Sequence, residues 1–157
     1  MRLAVLACAC LLAAVSGGAA ADDRHEGYYY PNLTSSEVYE ARIGVAPDSD
    51  RRRRLGFVSG LTKQLSMLPY PAPYAIFAKG EEAEKLIIVG YRDGALDTVY
   101  RARALFASMT ALIRLGPLFQ GTPIDDQATF FDLARMIGFE QITISDGRDF
   151  AHRIVLQ

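Results

Sequence analysis

The chain contains no tryptophan, and its only two cysteines, Cys8 and Cys10, fall in the first ten of its 157 residues. It has two histidines, His25 and His152. There is no H-E-x-x-H pair, no phosphate-cradling G-x-x-x-x-G-K and no dinucleotide-binding glycine fingerprint, so nothing marks a zincin, a P-loop nucleotidase or a Rossmann site. The stretch Gly56-Phe57-Val58-Ser59-Gly60 misses the nucleophile-elbow spacing by one residue. Charge of one sign is also lacking: 17 basic against 18 acidic residues give a net charge of −1. That balance excludes a nucleic-acid binder steered by net charge.

The first residues carry their own pattern. Met1-Arg2 supplies a short positive end, Leu3 to Val15 is continuously apolar or small, and Ala19-Ala20-Ala21 matches the site signal peptidase accepts. Residues 1–21 are therefore expected to be a signal peptide, cleaved before Asp22, with the remainder periplasmic or secreted. Removing them leaves 136 residues, enough for one domain with its own core. The mature chain would be cysteine-free, with no disulfide, thiol nucleophile or cysteine-ligated metal. A lipoprotein reading fails because the apolar run continues past both cysteines. No later stretch has the roughly 20 largely apolar residues of a membrane span.

Residues 22–35 are expected to form an N-terminal arm and 36–157 a single α+β domain. The arm holds Tyr28, Tyr29 and Tyr30, amphipathic side chains suited to an apolar groove with wet hydroxyls. Ser36 to Val45 is expected to hold a short strand, although Thr34 and Glu37 have capping-box spacing. Asp48 to Leu68 has helical periodicity, capped by Asp48 or Ser49, with Leu55, Val58, Leu61, Leu65 and Leu68 on one face. Pro69, Pro71 and Pro73 stop it. Tyr74 to Lys79 and Leu86 to Tyr91 suggest a hairpin.

Ala95 to Leu115 is the central helix. At 100° per residue, Val99, Ala102, Leu105, Phe106, Met109, Leu112 and Ile113 cover one face. Asp125 or Asp126 is expected to cap a shorter helix, Gln127 to Ile137, ended by Gly138. Gln141 to Ser145 and Phe150 to Leu156 then form a hairpin about Asp146-Gly147. The order predicts an α+β fold: an antiparallel or mixed sheet of about five strands, with two long helices and one shorter helix packed on one face.

Candidate binding residues are few. Arg51, Arg52, Arg53 and Arg54 open the first helix as a collar suited to an anionic headgroup, a phosphate or an acidic partner. Arg54 falls inside the apolar arc, so it must snorkel or find a carboxylate. Asp132, expected on the solvent side of its helix, Asp146, Asp149 and His152 are the groups available to an enzyme, but no spacing assembles them. No catalytic residue, metal site or cofactor is assigned.

Several stretches together resemble a group of small exported proteins from alphaproteobacteria: Tyr28-Tyr29-Tyr30-Pro31, Ser36 to Arg42, Asp48 to Arg54, Phe77 to Gly80, Ala83 to Val89, Tyr100 to Ala104, and Phe139-Glu140-Gln141 through Phe150-Ala151-His152. Some members of that group are labelled molybdopterin-guanine dinucleotide biosynthesis protein A. The guanylyltransferases so named have an N-terminal glycine-rich nucleotide loop followed by a basic residue. Nothing in Met1 to Val45 matches it, so the resemblance carries over no catalytic residue. The expectation is an exported, non-catalytic domain that binds a protein or an anionic envelope component through the tyrosines and the collar. The alternatives are a small hydrolase-like enzyme using carboxylates or His152, and the molybdenum-cofactor role implied only by the label.

Overall fold

The computed structural model describes residues 30–115 and 127–157. The expected signal peptide, His25, Tyr28, Tyr29, Gly116-Pro117 and Asp125-Asp126 lie outside the described residues. In chain order the elements are β1 (Ser35–Tyr39), α1 (Arg51–Ser66), β2 (Tyr74–Lys79), β3 (Lys85–Gly90), α2 (Val99–Leu115), α3 (Phe130–Ile137), β4 (Gln141–Ser145) and β5 (Ala151–Leu156). The strands form one mixed sheet in the order β1-β5-β4-β3-β2. The β2–β3 and β4–β5 hairpins are antiparallel, as their short connections require, while β3–β4 and β1–β5 are parallel. The expected α+β fold is the one found.

Alternation along the strands separates two faces. Leu86 and Ile88 of β3, Ile142 and Ile144 of β4, and Ile154 and Leu156 of β5 point to one face. There they share a buried cluster with Ala102, Phe106 and Met109 of α2 and Phe130, Leu133 and Ile137 of α3. Phe57, Val58, Leu61 and Leu65 of α1 pack against the same cluster. Each large aliphatic side chain taken out of water here contributes about 1.5–3 kcal/mol. On the opposite face, Tyr30 is buried with Ile87 and Ala151, and Leu33, Phe77 and Val89 pack beside them.

Helix starts differ from their expected positions because nearer side chains take the caps. Asp50, not Asp48 or Ser49, caps α1 by accepting from Arg53 N at 2.7 Å. Asp48 is instead drawn into an ion pair with Arg53, and the Ser49 hydroxyl donates to Ile137 O. Thr98 accepts from Arg101 N, so α2 begins at Val99 rather than Ala95. Thr129 and Asp132 form a capping box, which starts α3 at Phe130 and displaces Asp125 or Asp126 from that role. The short strand expected within Ser36 to Val45 is β1, and it stops at Tyr39 because the Arg42 and Ala46 N–H groups are taken by Asp132 and by Met136 O.

Gly56 and Gly60 fall inside α1 on its exposed side, and an added Cβ at either meets nothing within 4 Å. Close approach of a neighbour therefore does not require them. Gly56→Ala and Gly60→Ala are each expected to raise the unfolding free energy by about 1 kcal/mol, since alanine restricts the unfolded chain and favours the helix. Urea titration reads this as a higher midpoint at unchanged slope. Gly138 is different. It ends α3 with φ +97°, and a Cβ there would run into Ser49 and Arg54.

Candidate functional site

The four arginines of the collar do not act as a unit. Arg54 stands three and four residues before Phe57 and Val58 on the inward stripe of α1, and it is buried. Its Nε donates to Glu82 O at 2.8 Å, and Nη1 donates to Ser49 Oγ at 3.3 Å and Gly138 O at 3.4 Å. The Glu82 carboxylate is 3.8 Å away and mostly exposed. Carbonyl oxygens are therefore its chief partners, and it joins α1 to the β2–β3 turn and the α3–β4 junction. Arg53 is held by Asp48. Only Arg51 and Arg52 are exposed, and among the described residues neither has an ion-pair partner.

Nor does the structure join the collar to Tyr30, the one described tyrosine of the three. Arg54 reaches Gly138, just before β4 starts, whereas Tyr30 packs with Ala151, where the antiparallel neighbour β5 starts. The two features occupy opposite ends of the sheet and opposite faces. Tyr30 is 3% exposed, so it packs the core instead of waiting for a partner.

Asp132 also corrects its expected place. It is fully buried, because the end of β1 and the loop after it, through Tyr39 and Arg42, pack over the first turn of α3, where Asp132 is the N3 member of the cap. Its carboxylate accepts from the N–H and Nη1 of Arg42, the N–H and hydroxyl of Thr129, and the Tyr39 hydroxyl. Burial alone would push its pKa up, but these donors outweigh that and hold it below the ordinary carboxylate range.

The densest polar cluster exposed to a sheet edge lies at the start of β1. Ser35 and Glu37 share the helix-side face of that strand, and the parallel register places Ser35 opposite His152. Ser35 Oγ and His152 Nδ1 are 2.8 Å apart. His152 is 3% exposed and its ring stacks on Phe150. Its Nε2 faces Glu37 Oε1 at 3.3 Å, without the alignment of a well-formed hydrogen bond. The other oxygen of Glu37 accepts from Arg103 of α2 at 2.9 Å. Burial pushes the Glu37 pKa up, yet Arg103 and His152 outweigh it and keep the carboxyl below its ordinary range. The arrangement can hold Glu37 ionised and fix the imidazole ring between it and a serine hydroxyl.

Asp146 and Asp149 lie at the same end, in an open cleft of about 390 Å³ lined also by Asp93, Asp97, Arg148 and Phe150. Its charges are largely committed. Arg148 pairs with Asp93 at 2.8 Å, Arg101 pairs with Asp97 at 2.9 Å, and Asp146 accepts from the backbone N–H groups of Arg148, Asp149 and Phe150. Asp132 is not part of it. Among the described residues no group of three histidine, cysteine or acidic side chains is placed to hold a metal ion. No described helix is long and apolar enough to cross a membrane.

No family model matches the chain, and no curated protein or solved structure matches it either. The site is thus defined by its own geometry. Sequence reasoning singled out His152 but missed Ser35 and Glu37. Their period-two spacing was visible, whereas the pairing of the first strand with the last was not.

Proposed function

We propose that the chain is an exported, periplasmic domain that binds an anionic envelope component through Arg51 and Arg52. One observation carries this reading. Of four consecutive arginines, Arg54 is buried and Arg53 is paired with Asp48, while Arg51 and Arg52 are exposed at the N-terminal end of α1 with no ion-pair partner among the described residues. The positive end of the helix dipole adds to them there. The leader-like composition of residues 1–21 supports the compartment.

Vesicles containing phosphatidylglycerol test the surface. The purified chain is expected to sediment with them at low salt and to be released as salt rises. Arg51→Gln combined with Arg52→Gln should weaken association by about 30-fold, given about 1 kcal/mol for each basic residue near an anionic surface. Equal binding by the double variant, or binding indifferent to salt, would remove these residues from the proposal. The N-terminal residue and cell fraction of the untagged protein in its native host test export separately: Asp22 in an envelope fraction supports it, and intact Met1 in the cytoplasm overturns it.

A further inference from the structure

We propose that Ser35, His152 and Glu37 form a nucleophile, base and carboxylate relay that hydrolyses small carboxylic esters. This activity is independent of the Arg51–Arg52 surface, which lies toward the other end of the sheet.

The geometry distinguishes the cluster from an ordinary cross-strand hydrogen bond. A serine opposite a histidine is satisfied by either imidazole tautomer. Here the ionised Glu37 faces Nε2, which favours the proton on that nitrogen and leaves the Nδ1 lone pair directed at the Ser35 hydroxyl. Arg103 holds the far carboxylate oxygen and so positions Glu37. Phe150 covers one face of the ring, and His152 itself is shut off from solvent. Ser35, by contrast, is only partly buried and lies on an edge strand.

The edge also supplies a donor for the oxygen that would gain charge. Gln157 N donates to Tyr39 O and Ala41 N donates to Gln157 O, so the odd-numbered residues of β1 point their backbone groups toward β5. Alternation therefore turns the N–H of Ser36 outward, beside the nucleophile. A donor from the residue after the nucleophile is where acyl-transfer sites commonly stabilise the oxyanion.

In the first step Ser35 Oγ bonds to the ester carbonyl carbon as its proton passes to His152 Nδ1. The carbon–oxygen bond to the alcohol breaks, and the alcohol leaves with that proton. Water then attacks the acyl carbon and gives a proton to Nδ1. The bond to Ser35 breaks, Oγ recovers the proton, and the carboxylic acid departs.

Incubation of the full purified chain with p-nitrophenyl acetate tests the relay. The expected result is a burst of nitrophenolate approaching one equivalent per chain, acetyl on Ser35 by peptide mass mapping, and labelling of Ser35 by a fluorophosphonate. Ser35→Ala should abolish the burst and both modifications. Ser36→Pro removes one outward N–H without changing a core side chain, and should slow acylation by about 100- to 1,000-fold. The Arg51→Gln, Arg52→Gln variant should retain the burst, which separates this activity from vesicle binding. Acetyl found only on lysine or tyrosine, or a rate equal to that of Ser35→Ala, overturns the proposal. If Ser35→Ala does not fold, the residue modified in the unaltered chain decides.

Discussion

Asp132→Ala is expected to lower the unfolding free energy by about 3–5 kcal/mol, the cost of breaking a buried charged network at one member. The carboxylate is the single acceptor on which three segments converge: the end of β1 through Tyr39, the following loop through Arg42, and the first turn of α3 through Thr129. Its removal leaves the backbone N–H groups of Arg42 and Thr129 without their acceptor and deletes half of the α3 capping box, while the Tyr39 hydroxyl keeps Thr129 Oγ1 and Arg42 Nη1 keeps Tyr39 and Gln127 O. Thermal unfolding should fall by roughly 10 °C or more for a domain of this size. Acid should reproduce part of the effect without mutation. Because folding lowers the Asp132 pKa, its contribution is fully present above the unfolded carboxylate value of about 3.9 and is lost as pH falls through the lower folded value. Asp132→Asn, which cannot ionise, should therefore show a flatter loss of stability over that acid range. Equal slopes for the two proteins would show that Asp132 does not control it.

The second large effect is expected at Arg54. Arg54→Ala should cost about 3 kcal/mol, because it exposes no new surface group yet leaves the carbonyls of Glu82 and Gly138 without their buried donor and opens a void beneath α1. Glu82→Gln is the informative control. That carboxylate is 3.8 Å from the guanidinium and largely in water, so its loss should cost no more than about 1 kcal/mol. A large loss at Glu82 with a small one at Arg54 would reverse the assignment of carbonyls as the main partners. The contrast also separates folding from association, since Arg51 and Arg52 can be neutralised without touching this network.

Where apolar periodicity and turn chemistry agree, the fold was legible. Tyr74–Lys79 and Gln141–Ser145 are strands over the expected residues, and Gly138 ends α3 in the left-handed conformation. Local patterns misplace ends when several capping residues stand close together and any of them could open the helix. Thr129 rather than Asp125 or Asp126, and Asp50 rather than Asp48, are cases of that kind. Asp132 was misassigned for a related reason: a carboxylate on a short helix reads as a solvent group until several distant donors are known to meet it. Arg54 was the opposite case. Its position on an apolar stripe revealed that it had to be neutralised, although not that carbonyl oxygens would do most of it. The Ser35–His152–Glu37 cluster was illegible because it depends on long-range register, which neither residue's neighbours encode.

That register has a consequence for how the chain reaches its structure. Ser35 and His152 are 117 residues apart, and among the described residues β1 pairs in the sheet with β5 alone. During synthesis β1 is made early and must wait until the last strand emerges before its backbone groups can pair. β5 then fills an interior position between two strands already made, closing the longest loop among the described strand pairs last. Trimming the chain by its final strand would not shorten an edge. It would detach β1 and turn β4 into a new, unprotected edge, a template for pairing with other chains.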